Sequence, residues 1–315
     1  MTVRRILVAG IPASGKSTYI AAMRHVLISD ETDSALIMGK MAADERHLNA
    51  LQDRWLALET FVRTRENSEA WATVHVRTRA TGDEAELIIP DLRGELFERP
   101  AATGKCLRSV ADALGDADGI LLFTNAEKPH DEHLISDYGD ADEEALVGDR
   151  NPEQSVTGPQ SYFEASEAPD EAEPEREVRG PDGTKRRLRF RPDRMPEEAM
   201  IVELLQFANR RPRLRRPRRL AVIVSAWDAV IEGEDERTPE QWFAQERPML
   251  SQFLRYNADA WEIRFYGASA QGGRLPRDAP RLAALENASE RVIMIGPDVP
   301  RHDPTSPIAW LIDGG

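Results

Sequence analysis

Residues 10–17 read G-I-P-A-S-G-K-S, and few stretches of eight residues dictate so much of their surroundings. Gly10, Gly15, Lys16 and Ser17 match the phosphate-loop pattern, two glycines with four residues between them, then Lys and Ser. The flanks agree with it. Arg4 to Ala9 (R-R-I-L-V-A) is a short apolar run, as expected of a buried strand. Lys16 to Ser29 predicts a helix with Ile20, Met23 and Leu27 on one stripe. A strand, a glycine-rich turn and a helix N-terminus together make an anion site, because backbone N–H groups point into the turn and the helix dipole favours negative charge there. Those N–H groups run from Ala13 and Ser14 through Gly15 to Thr18. Gly10 and Gly15 open turn geometry that other residues resist. Lys16 would reach the terminal phosphates of a nucleotide, and the Ser17 hydroxyl would bind Mg²⁺.

A chain of 315 residues, 41% of them hydrophobic, can bury a full core. No apolar run approaches the roughly 20 residues of a membrane span. Val3 to Ile11 is too short for a secretory signal and ends in the loop. The single cysteine, Cys106, excludes an internal disulfide and suits a reducing compartment, so the cytosol is expected. The net charge of −14 is concentrated: residues 127–180 hold 17 acidic side chains against four basic ones, a net of −13. The charge therefore marks one segment and not the whole surface.

After the first helix, Leu48, Leu51, Trp55, Leu58 and Val62 recur at helical spacing within residues 42–62, which reads as core packing. Residues 63–70 are polar and read as a loop. Trp71 to Thr78 alternates as a half-buried strand does, and Glu86 to Pro90 (E-L-I-I-P) is another strand. It runs into D-L-R-G at Asp91 to Gly94. A carboxylate at the end of an apolar strand, in a chain with a phosphate loop, is placed to coordinate magnesium. The glycine three residues on can offer its N–H to a terminal phosphate. Lys105 to Leu114 predicts a helix, and Gly119 to Thr124 a buried strand.

Residues 131–174 are rich in Asp, Glu, Pro, Gly and Ser and cannot bury enough surface to offset chain entropy. His130 and His133 lie among carboxylates there, and a solvated linker explains them better than a metal site. The expected organisation is one domain, 1–315, interrupted by a disordered acidic insertion at about 127–184. Pro196 to Asn209 predicts a helix. Residues 210–219 carry seven arginines in ten positions. They can be read as a patch for nucleic acid or anionic lipid, or as a partner for the chain's own acidic segment, and the neighbouring opposite charges favour the second. Leu220 to Ser225 is a buried strand that ends at Ala226-Trp227-Asp228, where ligands bind open α/β sheets. Pro239 to Ala258 reads as a helix broken at Pro248. Glu262 to Tyr266 is a strand followed by Gly267-Ala268-Ser269-Ala270-Gln271, and Arg291 to Ile295 suits an edge strand. Ser306 and Pro307 read as the cap and first residue of a last helix. Alternating strands and helices predict an α/β fold, a mostly parallel sheet with helices on both faces.

The ordered set G-I-P-A-S-G-K-S, D-L-R-G, S-A-W-D and S-A-Q resembles the phosphate-loop GTPases of the Ras-like, translation-factor-related class. More narrowly, P-D-L-R-G-E at Pro90 to Glu95 and the long gap before the fourth motif resemble the bacterial double-GTPase domains of conflict systems. The resemblance implies a Ras-like fold, GTP or GDP with Mg²⁺, and a protein effector or activating partner. It implies that Asp228 reads the guanine edge, and that the Ala270 N–H, beside Ser269, meets the guanine carbonyl. The fourth motif is usually N-K-x-D or T-K-x-D. Here the Asp is kept, while Ser225 and Ala226 replace the other two, so the pocket is expected to be less braced than an asparagine would make it.

Two further departures bear on turnover. Glu95 follows Gly94 where many relatives carry the glutamine that positions water, so hydrolysis is expected to be slow or to need a partner. The Mg²⁺-binding threonine of the first switch is assigned to Thr64, with Thr73 as the rival, and Arg63 is a candidate internal arginine finger. Two other functions compete: a phosphate-loop ATPase or small-molecule kinase, which would have no use for Asp228, and a scaffold that holds nucleotide without turnover.

Overall fold

The computed structural model describes residues 3–40, 46–60, 71–90, 97, 100, 104–127, 176–179, 185–188, 196–210 and 217–313. It divides into two units, residues 1–130 with 197–315, and residues 131–196.

The first unit is built on an eight-stranded sheet. In chain order its strands are β1 (Arg4–Ala9), β2 (Leu36–Met38), β3 (Ala72–Thr78), β4 (Glu84–Ile89), β5 (Gly119–Asn125), β8 (Arg218–Ser225), β9 (Trp261–Ser269) and β10 (Ile293–Ile295). Across the sheet the order is β10-β9-β8-β5-β1-β4-β3-β2. The central five, β9, β8, β5, β1 and β4, run parallel, while β10, β3 and β2 pair antiparallel. This is the α/β phosphate-loop fold expected.

The parallel strands are continuous apolar runs because both of their faces are covered. Ile6, Val8, Leu121, Phe123, Ala221 and Ile223 join one core cluster with helix α1 (Lys16–Ser29), helix α2 (Arg46–Leu56) and helix α9 (Ser306–Ile312). The alternate residues Leu7, Ile120, Leu122, Leu220, Val222 and Val224 are equally buried but lie outside that cluster. Among the described residues the remaining long helices are α3 (Arg108–Asp116), α4 (Glu197–Asn209), α6 (Pro239–Glu246) and α7 (Pro248–Tyr256). Between β8 and α6 lies the short helix α5 (Trp227–Glu232), and after β9 come α8 (Ala279–Ala283) and a 3₁₀ turn, Ala288–Arg291. Among the described residues no helix is long and apolar enough to cross a membrane.

Pro248 breaks its helix as expected, leaving Arg247 as the cap of both halves. The last helix differs from expectation by one residue: Ser306 is its first residue and Thr305 its cap. The cause is Asp303, fully buried, whose carboxylate accepts from the Thr305 N–H (2.8 Å), the Thr305 hydroxyl (2.5 Å), the Ser306 hydroxyl (2.6 Å) and the Ala35 N–H (3.0 Å).

The second unit contains an antiparallel hairpin of β6 (Arg176–Arg179) and β7 (Lys185–Leu188). Its first strand falls in the stretch expected to lack structure. Residues 131–174, with His133, and His130 lie outside the described residues.

The arginine stretch is placed in part. Residues 211–216 lie outside the described set. Arg210 stacks on Phe207 at 3.7 Å. Arg218, only 6% exposed, donates to the Leu114 carbonyl at 2.7 Å and lies over Trp261. Arg219 pairs with Glu262 at 3.1 Å, bonds the Trp310 carbonyl and stacks on its ring. These three use carbonyls, rings and one carboxylate of the sheet unit, while residues 131–174, the acidic stretch expected as their partner, lie outside the described residues.

Candidate functional site

Parallel pairing sets the C-terminal ends of β5, β8 and β9 side by side. Asn125 faces Ser225, and Ser225 faces Ala268, so these three residues form one row across adjacent strands. The row lies where open α/β sheets bind ligands, beyond the carboxyl ends of the strands. All three line a cavity of about 820 Å³. Gly15 and Thr18 line it from the phosphate loop, and Asp228 and Ala270 from the ends of β8 and β9. Glu59, Thr60, Glu127, Gln271 and Arg274 complete much of the wall.

The phosphate loop is shaped by its glycines and by what stands behind it. Gly15 caps α1 with φ 86°, and a Cβ there would fall 2.5 Å from the Ser225 side chain. Gly10 has φ 151°, and its Cβ would lie 2.8 Å from the Ser14 hydroxyl. Neither position accepts a larger residue without displacement. Ala13 takes the left-handed conformation at φ 58° and is exposed. Lys16 is 3% exposed, and its ammonium donates to the Gly10 carbonyl (2.6 Å), the Ile11 carbonyl (2.7 Å) and the Ser14 hydroxyl (3.1 Å). Ser17 and Thr18 are half-buried in the first turn of α1.

Two side chains tie this loop to neighbouring strands. The Ser225 hydroxyl donates to the Ser14 carbonyl at 2.9 Å, and the Asn125 amide donates to the Ala13 carbonyl at 2.9 Å. Two neighbouring strands thus brace the phosphate loop, β8 through Ser225 and β5 through Asn125. Asn125 follows directly on the buried run G-I-L-L-F-T, and a polar amide at such a strand end is the signal that would have found it.

Where β8 ends, Ala226 turns the chain in the left-handed region (φ 54°) and α5 begins. Trp227 is 2% exposed and meets Trp242 edge-on at 6.2 Å, which anchors the turn. The next residue, Asp228, accepts from the Ser269 hydroxyl at 2.6 Å. The same oxygen of Ser269 accepts from the Gly272 N–H at 3.1 Å, so the two strand ends hold each other. A carboxylate has about four acceptor positions, so one bond to Ser269 leaves capacity for a ligand. At the rim, Glu127 and Arg274 pair at 2.7 Å.

The structure thus brings Gly10, Ala13, Ser14, Gly15, Lys16, Ser17, Thr18, Asp228, Ser269 and Ala270 to one end of the sheet. Arg63, Thr64, Asp91, Gly94 and Glu95 lie outside the described residues. Thr73 sits within β3, opposite Ile88, and is absent from the described lining of the cavity. Among the described residues no group of three or more His, Cys, Asp or Glu side chains could hold a metal. The loop suits a polyphosphate: a helix N-terminus, two tight glycines and a buried ammonium converge there.

Comparison with known proteins agrees in extent. The family model described as Double-GTPase 1 matches residues 7–311. No curated protein matches the chain. Similar solved structures include a bacterial selenocysteine-specific elongation factor, EF-Sec, at 12% identity and a TM-score of 0.36, covering 92% of this chain and 30% of that one. Another is the GTPase-like domain of S. cerevisiae Ski7, described as bound to GTP, at 13% identity and a TM-score of 0.37, covering 98% of this chain and 49% of that one. The chain spans less than half the length of either.

Proposed function

The chain belongs to the Double-GTPase 1 family, and on that premise we propose that it is a GTP-binding switch protein whose hydrolysis of GTP is slow or waits on a partner. The observation that carries the reading is one cavity lined both by Gly15 and Thr18 from the phosphate loop and first helix and by Asp228 and Ala270 from the ends of β8 and β9. A polyphosphate on the loop would leave its base at the Asp228 wall. In this reading loop N–H groups and Lys16 hold the phosphates, and Gly94 offers its N–H to the terminal one. Asp228 accepts from guanine N1–H and the exocyclic amine, and the Ala270 N–H meets the guanine carbonyl.

Ser17, Asp91 and Thr64 would hold Mg²⁺, which neutralises charge that develops on the transferred phosphoryl group. Phosphoryl transfer asks a protein for positioning and charge stabilisation more than for covalent chemistry. Glu95, standing where a water-positioning glutamine is common, motivates slow turnover. Arg63 would stabilise the developing charge from within the chain. The setting we propose is a bacterial conflict or defence system in the cytosol, with a protein effector that responds to the bound nucleotide.

Competition binding tests the base assignment. A base that covers the Asp228 carboxylate without supplying it donors costs on the order of 1–3 kcal/mol, so GTP is expected to bind at least about tenfold tighter than ATP. Asp228→Asn should narrow that gap, because an amide oxygen is a weaker acceptor than a carboxylate. Lys16→Ala should weaken all nucleotides together, since it removes the charge on the phosphate side. Equal wild-type affinities for GTP and ATP would overturn the reading in favour of an ATPase or kinase.

A further inference from the structure

Trp55 reads from sequence as one apolar residue of a helical stripe, yet its polar atom is committed to the site. It is fully buried at the C-terminal end of α2, and its indole N–H donates to the Ala270 carbonyl at 2.9 Å. The two residues are 215 positions apart. Ala270 and Gln271 both line the cavity. In a trans peptide the carbonyl and the N–H point in opposite directions. Turning the Ala270 carbonyl inward to Trp55 therefore fixes the plane of the Ala270–Gln271 peptide and directs its N–H the other way.

Trp55 is itself held from behind. Arg291, 9% exposed, donates to the Trp55 carbonyl (3.2 Å) and the Leu56 carbonyl (3.3 Å), and its guanidinium lies 5.3 Å from the indole. The His25 ring packs at 5.2 Å. The base loop is pressed from the same side, since a Cβ on Gly272 would come within 2.4 Å of the Arg291 carbonyl. Beyond α2 the chain continues to Glu59 and Thr60 in the cavity wall.

We infer that Trp55 is a positioning residue for base recognition: its indole N–H sets the Ala270–Gln271 peptide so that this stretch presents donors to a carbonyl on a purine base. The inference rests on the GTP-binding reading above and assigns the Ala270 side of the pocket a support that comes from α2. Ser269, held by Asp228, fixes the near side of Ala270, and Trp55 fixes the far side.

The test is Trp55→Phe, which keeps an aromatic ring and deletes the N–H. Binding is measured with GTP, with inosine triphosphate, which keeps the base carbonyl and lacks the amine, and with 2-aminopurine riboside triphosphate, which keeps the amine and lacks the carbonyl. A net hydrogen bond of ordinary strength predicts that GTP and inosine triphosphate weaken about three- to tenfold. The 2-aminopurine nucleotide should change less than about twofold. Equal weakening of all three, the signature of a packing role alone, would overturn the inference, as would no change in any. A wild type that does not prefer GTP to ATP removes the function reading itself, a separate outcome from a preference that Trp55→Phe leaves untouched. Should the variant fail to fold, the unsubstituted protein answers through the indole ¹H–¹⁵N signals of its six tryptophans. The Trp55 signal should move on adding GTP and stay in place with inorganic triphosphate, and a Trp55 signal unmoved by GTP would overturn the assignment.

Discussion

Consecutive carbonyls of the phosphate loop, those of Ala13 and Ser14, are each gripped by a side chain from a different strand. Asn125 at the end of β5 takes the first and Ser225 at the end of β8 takes the second. Each bond ties a loop with exposed or left-handed backbone to the rigid sheet, which is how a binding constellation stays in position. Removing one grip leaves the other, so the two should not act independently. Ser225→Ala and Asn125→Ala are each expected to weaken GTP binding about threefold to tenfold. The double variant should lose more than the product of the two single losses, by roughly 0.5–1.5 kcal/mol of coupling. Titration of the four proteins with one nucleotide measures it, and strictly multiplicative losses would mean the grips are separate.

At the scale of elements, the break at Pro248 has a use beyond ending a helix. Proline lacks an N–H and disfavours helical geometry in the residue before it. Arg247, at φ −136° and ψ 62°, therefore leaves the helical path and is 3% exposed. It donates to the Thr124 hydroxyl (3.2 Å) and to the Asn125 carbonyl (2.9 Å), and it stacks at 5.3 Å from Trp242. Thr124 passes the link on, donating to Glu197 at the start of α4 at 2.9 Å. A buried cation, a hydroxyl and a buried carboxylate thus lock α4, α6 and α7 to the strand that carries Asn125. Arg247→Met keeps the bulk and removes the charge. Taking one partner from a buried charged network costs about 3–5 kcal/mol. For a domain of this size that lowers the Tm by on the order of 6–12 °C in calorimetry.

For the whole molecule, the division into two units predicts which part folds alone. Every strand of the eight-stranded sheet and every residue described in the cavity wall lies in residues 1–130 and 197–315. Replacing residues 131–195 with a short Gly/Ser linker should leave one cooperative melting transition and unchanged GTP affinity, because no described core side chain is removed. Thermal melting and nucleotide titration check this together. A protein that melts without cooperativity would show that the second unit completes the core of the first.

Much of this fold was legible locally. Buried parallel strands are short apolar runs, and Gly and Pro punctuate the chain, so β1, α1, β5, α4, β8 and the break at Pro248 appear in the sequence with near-correct bounds. The phosphate loop was legible for the same reason, since its residues are contiguous and its chemistry is local. Other features depend on pairings between distant parts of the chain. β2 has three residues, too few to show a period, and exists because β3 pairs with it. The apolar stripe of α2 located Trp55 in the core, but only packing against the end of β9 decided that its N–H would meet Ala270. Arg218 looked like surface charge, yet its position in β8 turns it onto the Leu114 carbonyl and Trp261. The residue types of the site were written in the sequence. Their convergence was decided by sheet register, which puts Asn125, Ser225 and Ala268 in one row, because hydrogen-bonded pairing fixes which distant residues become neighbours.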